Sequence, residues 1–439
     1  MSPISPFAQP ATAPRRPKVL LLAYACRPGA GSEAGVGWNR AIETAKHCDT
    51  WVICEQHWSE RPIREHVERE GQISGLTFVF VPKSRFERAI TRLGFLYYVA
   101  YNGWQRRAAE VGRRLHHDIG FDLIHQTTLC GYREPGYLWT LDVPFVWGPV
   151  GGTQNVPWRF LASLGPTAAA REGIRSLTNF LQLQFGRRIR RAARRAAVVL
   201  AANSTVQRDL RRAMRIAPRR MLETGLPARP GRPRLGASGR ALRILWSGDH
   251  EPFKALPLLL KALASLPSHE SFELRVLGEG PTSTAWRRLA ASLGIDHRIE
   301  WVGRIAHPDA LAHNHWADVL VFTSLRDTSG NVVLEAMQAG APVICLDHQG
   351  AQNMVNESCG IRVPVSTPAR VVSDIALALS DLHEKPAMLA RLSRGALGRA
   401  ASYLWSTQVG LTMAIYRSVL DTAPADRLAS DRPCDENAA

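Results

Sequence analysis

The sequence predicts an α/β protein made of two domains, each built on a parallel β-sheet covered by helices. Short apolar runs alternate with helical segments along the chain, which is typical of such sheets. A stretch rich in proline, glycine and arginine at residues 227–240 interrupts the alternation and predicts a linker. The length of 439 residues and the 45% hydrophobic content allow two separate cores. We therefore expect domains at residues 18–226 and 241–403.

The two ends of the chain lack the pattern of a folded domain. Residues 1–17 are rich in proline, alanine and serine and lack the apolar core of a signal peptide, which predicts a disordered leader. Residues 404–421 predict a closing helix, and the polar residues 422–439 predict a disordered tail. No window holds the run of about twenty apolar residues that a membrane-spanning helix requires. The pattern therefore argues against a protein that crosses a membrane.

The cysteines and the charge indicate which cellular compartment and which kinds of partner to expect. The seven cysteines are scattered without close pairs, which argues against a disulfide framework and a zinc site and favours a reducing cytoplasm. The net charge is +17, and residues 171–220 hold fourteen arginines against only Glu172 and Asp209. Such a basic block favours a negatively charged partner, namely lipid headgroups, nucleic acid or an acidic glycan.

The first predicted domain opens with an apolar strand at residues 18–24 that runs into a glycine-rich turn. Gly31, Gly35 and Gly37 in this turn would let backbone amides approach a phosphate closely, although the dinucleotide fingerprint is absent. Ligands of an open parallel sheet bind at the carboxyl ends of its strands, so this turn is a candidate site. Further strands are predicted at residues 50–54, 76–81, 121–125, 145–147 and 197–201.

His125 ends one of these predicted strands and is followed by Thr127 and Thr128. A histidine after a strand is more often structural than catalytic, but its neighbouring hydroxyls in a predicted cleft make the two interpretations about equally strong. His125 is therefore a candidate catalytic residue, with a structural role as the open alternative.

Two segments, Arg85 to Arg114 and Arg187 to Arg195, combine arginines with aromatic or apolar side chains. Each could be a helix with a solvated basic face, or a surface that docks on anionic lipid with its apolar side chains at headgroup depth. We favour docking on a membrane surface. A single helix at residues 180–195 is predicted to carry an apolar stripe made of Leu181, Phe185, Ile189 and Ala193. Nucleic acid is not expected as a partner, because no recognition module is present.

The second predicted domain is organised around residues 318–350. A buried strand at 318–322, a polar turn, a helix and a strand at 343–346 form a β-α-β unit whose helix start offers an anion site. Asp327 in the turn and Glu335 inside the helix could both face a ligand there. The alternative is a capping Asp327 and a surface Glu335. Further elements of this domain are predicted at residues 243–246, 255–266, 272–277, 284–293 and 299–302.

These residues resemble the family 4 retaining glycosyltransferases, which have the GT-B fold of two Rossmann-like domains facing each other across a cleft. The resemblance is most specific in Trp246-Ser247-Gly248 with Lys254, in residues 276–281 and in residues 324–350. The Trp-Gly-Pro-Val-Gly-Gly sequence at residues 147–152 is similar to a subgroup that acts on bacterial exopolysaccharide and cell-envelope glycans.

The resemblance implies a nucleotide diphosphate sugar as donor and assigns roles around it. Asp327 and Glu335 would hold the sugar hydroxyls and the ribose, and Lys254 would neutralise the leaving diphosphate, because glycosyl transfer builds charge there. The resemblance implies no metal ion and no cofactor other than this co-substrate. The implied donor-binding positions are Gly31, Gly35, Gly37, Ser247, Gly248, Gly278, Gly280, Arg304, Ser329, Gly330, Asn331 and Val332.

The same resemblance implies the setting of the reaction. The acceptor would be a lipid-linked saccharide or a polysaccharide, the sugar would be transferred with retention, and the enzyme would be cytoplasmic and peripheral on the inner face of the membrane. Two alternatives remain open from the sequence. One is a nucleotide-sugar epimerase of the same fold, and the other is a non-catalytic subunit that binds glycan or lipid.

Three positions depart from the family pattern. Asp327 stands where a glutamate is usual, and Asp249 stands where an arginine is usual. Asp249 beside a diphosphate is unfavourable unless a cation such as His250 or Arg304 offsets it. A histidine often found after the strand at residues 145–147 is absent, which leaves His125 or Glu33 to orient the acceptor.

Overall fold

The structure is a computed structural model that describes residues 15–91, 96–229, 231–234 and 240–422. Two parallel sheets, one in each predicted domain, are covered by helices that pack against them in separate cores. The predicted fold class of two Rossmann-like domains is confirmed. Most of the predicted leader, the predicted tail and part of the predicted linker lie outside the described residues.

The first sheet contains, within the described residues, seven parallel strands in the spatial order β3-β2-β1-β4-β5-β6-β7. They are β1 (Lys18–Leu22), β2 (Asp49–Glu55), β3 (Leu76–Val81), β4 (Leu123–Gln126), β5 (Phe145–Val150), β6 (Val198–Ala201) and β7 (Arg219–Arg220). Strand β1 is apolar throughout because both of its faces are covered: Leu20 and Leu22 join one core, and Val19 and Leu21 join the other.

The second sheet contains, within the described residues, six parallel strands in the order β10-β9-β8-β11-β12-β13. They are β8 (Leu242–Ser247), β9 (Phe272–Leu277), β10 (Ile299–Gly303), β11 (Val319–Phe322), β12 (Val343–Leu346) and β13 (Gly360–Val363). Strand order reverses between β8 and β11, so the loops that follow these two strands open a crevice at the carboxyl edge of the sheet.

Helices connect the strands in both domains. The described helices of the first domain are α1 (Ser32–Ala45), α2 (Gln56–Glu70), α3 (Arg85–Thr91), α4 (Tyr97–Ile119), α5 (Pro166–Phe185), α6 (Arg187–Arg195) and α7 (Ser204–Met214). Those that follow are α8 (Leu256–Ala264), α9 (Ser283–Ser292), α10 (His307–Trp316), α11 (Asn331–Gln338), α12 (Gln349–Met354), α13 (Pro368–Glu384), α14 (Pro386–Ala401) and α15 (Trp405–Asp421).

Helix α15 returns to the first domain after the second domain is complete. Met413 and Tyr416 are buried in the core on one face of the first sheet. Arg40 of α1 is fully buried and donates a hydrogen bond of 3.1 Å to Thr412. The closing helix therefore ties the end of the second domain to the first and limits how far the two domains can separate.

The predicted single helix at residues 180–195 is wrong, because the chain breaks at Gly186. Gly186 is extended, with φ of −68° and ψ of 92°, and separates α5 from α6. The break rotates the two halves of the predicted stripe apart. Phe185 is 71% exposed, whereas Ile189 is buried in the core.

The described aromatic side chains of the Arg85 to Arg114 segment divide into buried and exposed ones, and Phe86 and Tyr98 are exposed. Tyr101 and Trp104 of α4 are buried, and the Trp104 Nε1–H donates to the Val81 carbonyl at 2.9 Å. Arg107 forms an ion pair with Glu87 on α3. The expectation that these aromatics lie at headgroup depth is wrong for Tyr101 and Trp104; residues 92–95 of the segment lie outside the described part.

Candidate functional site

The carboxyl edges of the two sheets face each other across a cleft of about 710 Å³. The domains touch at its edges through side chains at the starts of helices α7 and α12. Asn203 Nδ2 donates to the Thr328 carbonyl at 2.7 Å, and Gln349 Nε2 donates to the Asn155 carbonyl at 3.0 Å. The cleft is therefore a space enclosed by both domains, as the switch-point rule for parallel sheets predicts.

An ion pair between Lys254 and Asp327 lies at the centre of the cleft wall formed by the second domain. Lys254 ends a short helical turn after β8, and Asp327 lies in the loop after β11. Both side chains are 20% exposed, and the backbone N–H of Asp327 donates to Gln349 Oε1 at 2.7 Å. The ammonium group is thus held at a fixed point facing the cavity.

Helix α11 points its amino terminus into the same cavity. Gly330, which precedes the helix, has a φ of +80°, and a Cβ added to it would lie 2.8 Å from the Phe322 ring. Only glycine allows this entry into the helix without strain. Asn331 and Val332 line the cleft in the first turn, where backbone N–H groups lack partners within the helix and favour an anion.

Glu335 lies one turn further along α11 and is paired with a residue that the sequence did not indicate. Its Oε1 lies 2.9 Å from His307 Nε2 at the start of α10. The hydrogen bond to this carboxylate raises the pKa of His307 above its usual value. Glu335 is 18% exposed and lines the cleft, so the surface alternative for this residue is wrong.

The glycine-rich turn of the first domain faces His307. Gly31 and Gly35 line a smaller adjoining cavity of about 210 Å³ together with His307 and Glu335. Gly37 lies behind this surface and packs against Ala25. The turn is therefore placed across the cleft from α11, with two of its three predicted glycines at the cavity wall.

The remaining predicted donor-binding residues separate into two groups. Ser247, Gly248 and Ser329 line the cleft. Gly278 and Gly280 do not line it; they pack against the loop after β8, where a Cβ on Gly278 would lie 2.0 Å from the Gly248 carbonyl oxygen. Their small size shapes the loop rather than the cavity surface.

The negative charge of Asp249 is offset by Arg304, one of the two cations that sequence analysis suggested for this role. Arg304 lies 3.0 Å from Asp249, and both side chains are about two-thirds exposed. Arg304 is not among the residues that line the cleft, although its partner Asp249 is. The donor-binding role of Arg304 stays a prediction. The pair reduces the unfavourable charge of Asp249 near the cavity, although exposed pairs contribute little stability.

His125 is not in the cleft. It is fully buried, its Nδ1 lies 2.6 Å from the Tyr416 hydroxyl, and its Nε2 lies 2.7 Å from the Gly148 carbonyl oxygen. Burial lowers the pKa of His125 to about 3, which keeps the ring uncharged at neutral pH. The catalytic interpretation of His125 is therefore wrong, and the structural alternative holds: the side chain joins β4 to α15.

Two glutamates from the first domain face the cleft. Glu33 accepts a hydrogen bond from the Leu129 N–H at 3.1 Å, and burial raises its pKa. Glu223, which sequence analysis missed, accepts a hydrogen bond of 2.6 Å from Ser329 Oγ. Its other oxygen is buried and, among the described residues, has no partner. Burial, together with smaller contributions from the neighbouring Glu33 and Asp327, raises the pKa of Glu223 to about 7.

The raised pKa of Glu223 predicts a pH-dependent stability. A carboxyl group whose pKa is higher in the folded than in the unfolded protein stabilises the fold below the unfolded value and loses that contribution as the pH rises through about 7. Glu223→Gln should therefore raise the melting temperature at pH 8 by a few degrees relative to the unchanged protein, and by little at pH 5. Thermal unfolding across this range measures it, and a pH-independent difference would contradict the raised pKa.

Comparison with known proteins finds similarity to glycosyltransferases over part of the chain. Residues 241–381 match the family model described as glycosyl transferases group 1. The D-inositol 3-phosphate glycosyltransferase of Frankia alni is 33% identical over 47% of this chain and 53% of its own length. The corresponding enzyme of Kineococcus radiotolerans is 31% identical over 48% and 53%. The chain thus spans about half the length of the curated relatives that it matches.

Solved structures extend the likeness over both domains. Sucrose-phosphate synthase of Thermosynechococcus elongatus superposes with a TM-score of 0.62 at 18% identity, over 92% of this chain and 100% of that one. HepE of Anabaena, solved in complex with UDP and glucose, superposes with a TM-score of 0.58 at 16% identity, over 92% and 100%. The protein therefore has the two-domain GT-B fold of glycosyltransferases. Its second domain carries the sequence likeness to group 1 of these proteins.

Proposed function

We propose that the protein transfers a sugar from a nucleotide diphosphate sugar to an acceptor hydroxyl group. The observation that carries this proposal is the arrangement of Lys254, the amino terminus of α11 and Glu335 around one cavity. A cation and oriented backbone amides meet there, as a leaving diphosphate requires. The match of residues 241–381 to group 1 glycosyl transferases supports the same conclusion.

The proposed reaction breaks the bond between the sugar and the diphosphate and forms a bond between the sugar and the acceptor. The bond between the anomeric carbon and the diphosphate oxygen breaks, and its electron pair leaves with the diphosphate. Lys254 and the first-turn amides of α11 stabilise the charge that develops on this oxygen. The acceptor oxygen forms the new bond to the anomeric carbon, and its proton passes to the departing diphosphate. Retention of anomeric configuration, implied by the resemblance to family 4, places the acceptor on the leaving-group side.

Asp327 and Glu335 hold the donor in this proposal. Both carboxylates line the cavity beside the start of α11, and each already has a basic partner, Lys254 or His307. Ionised carboxylates accept hydrogen bonds from sugar hydroxyls and ribose, so they would orient the donor without contacting the reacting bond. The shorter side chain of Asp327 reaches Lys254 and therefore keeps the cation in place.

We propose a lipid-linked saccharide or a polysaccharide of the cell envelope as the acceptor, with the protein at the inner face of the cytoplasmic membrane. The support is a surface on α5 and α6 that combines apolar and basic side chains. Ile174, Leu177, Phe180, Leu181 and Phe185 are exposed large apolar residues of α5. Arg187, Arg191 and Arg194 are exposed on the adjoining α6. No described helix is long and apolar enough to span a bilayer.

Charged substitutions on α5 test this membrane surface. Phe180→Glu combined with Phe185→Glu should weaken binding to phosphatidylglycerol vesicles at least about tenfold, since burying part of one phenylalanine contributes on the order of 1–2 kcal/mol. Leu377→Glu is the matched control, because Leu377 is equally exposed but lies on α13 of the second domain. Co-sedimentation at one salt concentration measures the binding. Unchanged binding of the double variant would remove α5 as the docking surface.

A transfer assay tests the proposed reaction itself. The purified protein is incubated with a panel of nucleotide sugars and with envelope glycans extracted by organic solvent, and release of nucleoside diphosphate is followed. The proposed function predicts release that depends on both a donor and an acceptor, with the anomeric proton coupling of the product showing retention. Product formed without any acceptor would favour the epimerase instead.

The non-catalytic alternative rested mainly on Asp249, and its ion pair with Arg304 weakens that support. A binding subunit has no need for the partly exposed Lys254 and Asp327 pair near the start of α11. Transfer activity of a cell extract that stays unchanged when the Lys254→Ala variant replaces the protein would restore this alternative.

A further inference from the structure

A second cavity of about 730 Å³ adjoins the cleft on the side of α5 and α6. The two cavities share five lining residues, so they lie next to each other. These are Tyr98, Arg133, Glu134, Arg175 and Arg326. The lining of the second cavity contains six arginines and only two carboxylates, Glu134 and Glu172. This excess of positive charge lies inside a concave site, where fields are focused, and differs from a solvated basic face.

Three of these arginines meet at the junction of the two cavities. Arg133 and Arg175 belong to the first domain, and Arg326 follows β11 of the second. Arg133 donates to neutral amide oxygens, at 2.5 Å in the case of Gln182. Arg175 donates to the Gly152 carbonyl at 3.2 Å. Among the described residues, neither of them donates to a carboxylate.

The two carboxylates of this cavity are already engaged. Glu134 pairs with Arg188, and Glu172 pairs with Arg326 across the domain boundary at 3.1 Å. Arg175 is left with a buried Nε that has no partner among the described residues. Burial, followed by the charges of Arg326 and Arg133, lowers the pKa of Arg175 to about 10. Mutually repelling guanidinium groups held at a cavity wall are stabilised by a bound anion.

We infer that the acceptor carries a phosphate or diphosphate group, and that Arg133 and Arg175 bind it with Arg326 while the acceptor hydroxyl faces the donor. This rests on the proposed function, because the same cleft must hold the donor. Arginine is suited to the role since its planar guanidinium binds phosphate oxygens in pairs. The stacking of Arg326 on the Phe253 ring, 4.0 Å from the centroid, fixes one of the three groups in place.

The inferred phosphate is distinct from the diphosphate of the donor. The donor phosphates are assigned to Lys254 and the start of α11, both in the second domain. Arg133 and Arg175 lie on the opposite, first-domain wall and continue into the second cavity, which Lys254 does not line. Two anion sites on facing walls would hold the phosphates of the two substrates in different parts of the cleft.

Pyrophosphate is a probe that reports on both sites. Titration calorimetry of the full chain should show two binding events. Arg175→Gln should weaken one event at least about tenfold, as expected for a lost hydrogen bond to a charged group, and Lys254→Ala should weaken the other. Arg175→Lys should keep part of the affinity because it keeps the charge. Arg212→Gln, at an exposed arginine of α7 outside both cavity linings, is the control and should change neither event.

Two results would overturn the inference. Binding that is unchanged in Arg175→Gln would show that the cluster holds no phosphate. A single event lost in both variants would assign the arginines to the donor diphosphate. Arg133→Gln provides a second test should Arg175→Gln unfold. Binding of a nucleotide sugar is measured in parallel: its loss in Lys254→Ala but not in Arg175→Gln keeps the proposed function separate from this inference.

Competition experiments distinguish a phosphate carried by a lipid-linked acceptor from one carried by a soluble acceptor. Vesicles that contain phosphatidic acid should displace pyrophosphate from the Arg175 site when the group belongs to a lipid-linked acceptor. Glucose 6-phosphate should displace it when the group belongs to a soluble one. Displacement by either supports a phosphate subsite, and displacement by neither contradicts it.

Discussion

Replacing Lys254 with alanine should lower the rate of sugar transfer by about 10²–10³-fold, which is the usual loss when one group that stabilises a leaving anion is removed. The expected loss is in kcat as well as in kcat/KM, because Lys254 interacts most strongly with the charge of the transition state. Asp327 would also lose its ion-pair partner and remain at the cavity wall as an uncompensated charge. Steady-state kinetics with the donor found by screening measure both effects.

Lys261→Ala is the matched control for this variant. Lys261 lies on the exposed face of α8 in the same domain, and its loss should leave the kinetics unchanged. A Lys254→Ala variant with normal kcat and unchanged folding would contradict the assignment of Lys254 to the leaving group. Lys254→Arg should keep part of the activity, because the guanidinium group has the same positive charge but a different shape.

Replacing Glu335 with glutamine should weaken donor binding by about 10–100-fold, as expected when hydrogen bonds to a charged group are lost. The same substitution removes the hydrogen-bonded carboxylate that raises the pKa of His307. The pKa of His307, measured by NMR, should therefore fall. This second readout shows that the pair exists in solution even before a donor is identified.

Glu273→Gln, at an exposed position on β9, should change neither the donor affinity nor the pKa of His307. A normal donor dissociation constant in Glu335→Gln would show that the carboxylate serves only to position His307. An unchanged pKa of His307 would show that the contact between the two side chains does not persist.

Local sequence pattern was sufficient for most strands of the two sheets because these strands are short apolar runs. It missed β7, which consists of two exposed arginines, and β13, which contains Gly360 and Arg362. The β-α-β unit at residues 318–350 was predicted for the same reason, since its strands are fully buried and glycine marks the helix start. The predicted helix across Gly186 failed because periodicity alone does not register a single glycine that ends one helix and begins another. Tertiary packing, which no short window contains, then placed Phe185 and Ile189 in different environments.

The site residues likewise fall into those that could be predicted from the sequence and those that could not. Lys254, Asp327 and Glu335 lie in one cavity, and the resemblance to a family motif had indicated all three. His307, Glu223 and Arg175 could not be found by spacing, because each comes from a different element and reaches the cleft only in the folded chain. His125 was placed at the correct strand end but on the wrong side of the cavity wall, where α15, remote in sequence, covers it.

Binding of a nucleotide sugar in this cleft is most directly tested by a thermal-shift screen of the unchanged protein and Lys254→Ala side by side. A ligand present at 100 times its dissociation constant adds about 2.7 kcal/mol to the free energy of unfolding, which is a readily measured shift in melting temperature. We predict that at least one nucleotide diphosphate sugar stabilises the unchanged protein and stabilises Lys254→Ala much less. A panel in which no nucleotide sugar stabilises the protein, or in which both proteins are stabilised equally, would contradict a donor site at Lys254.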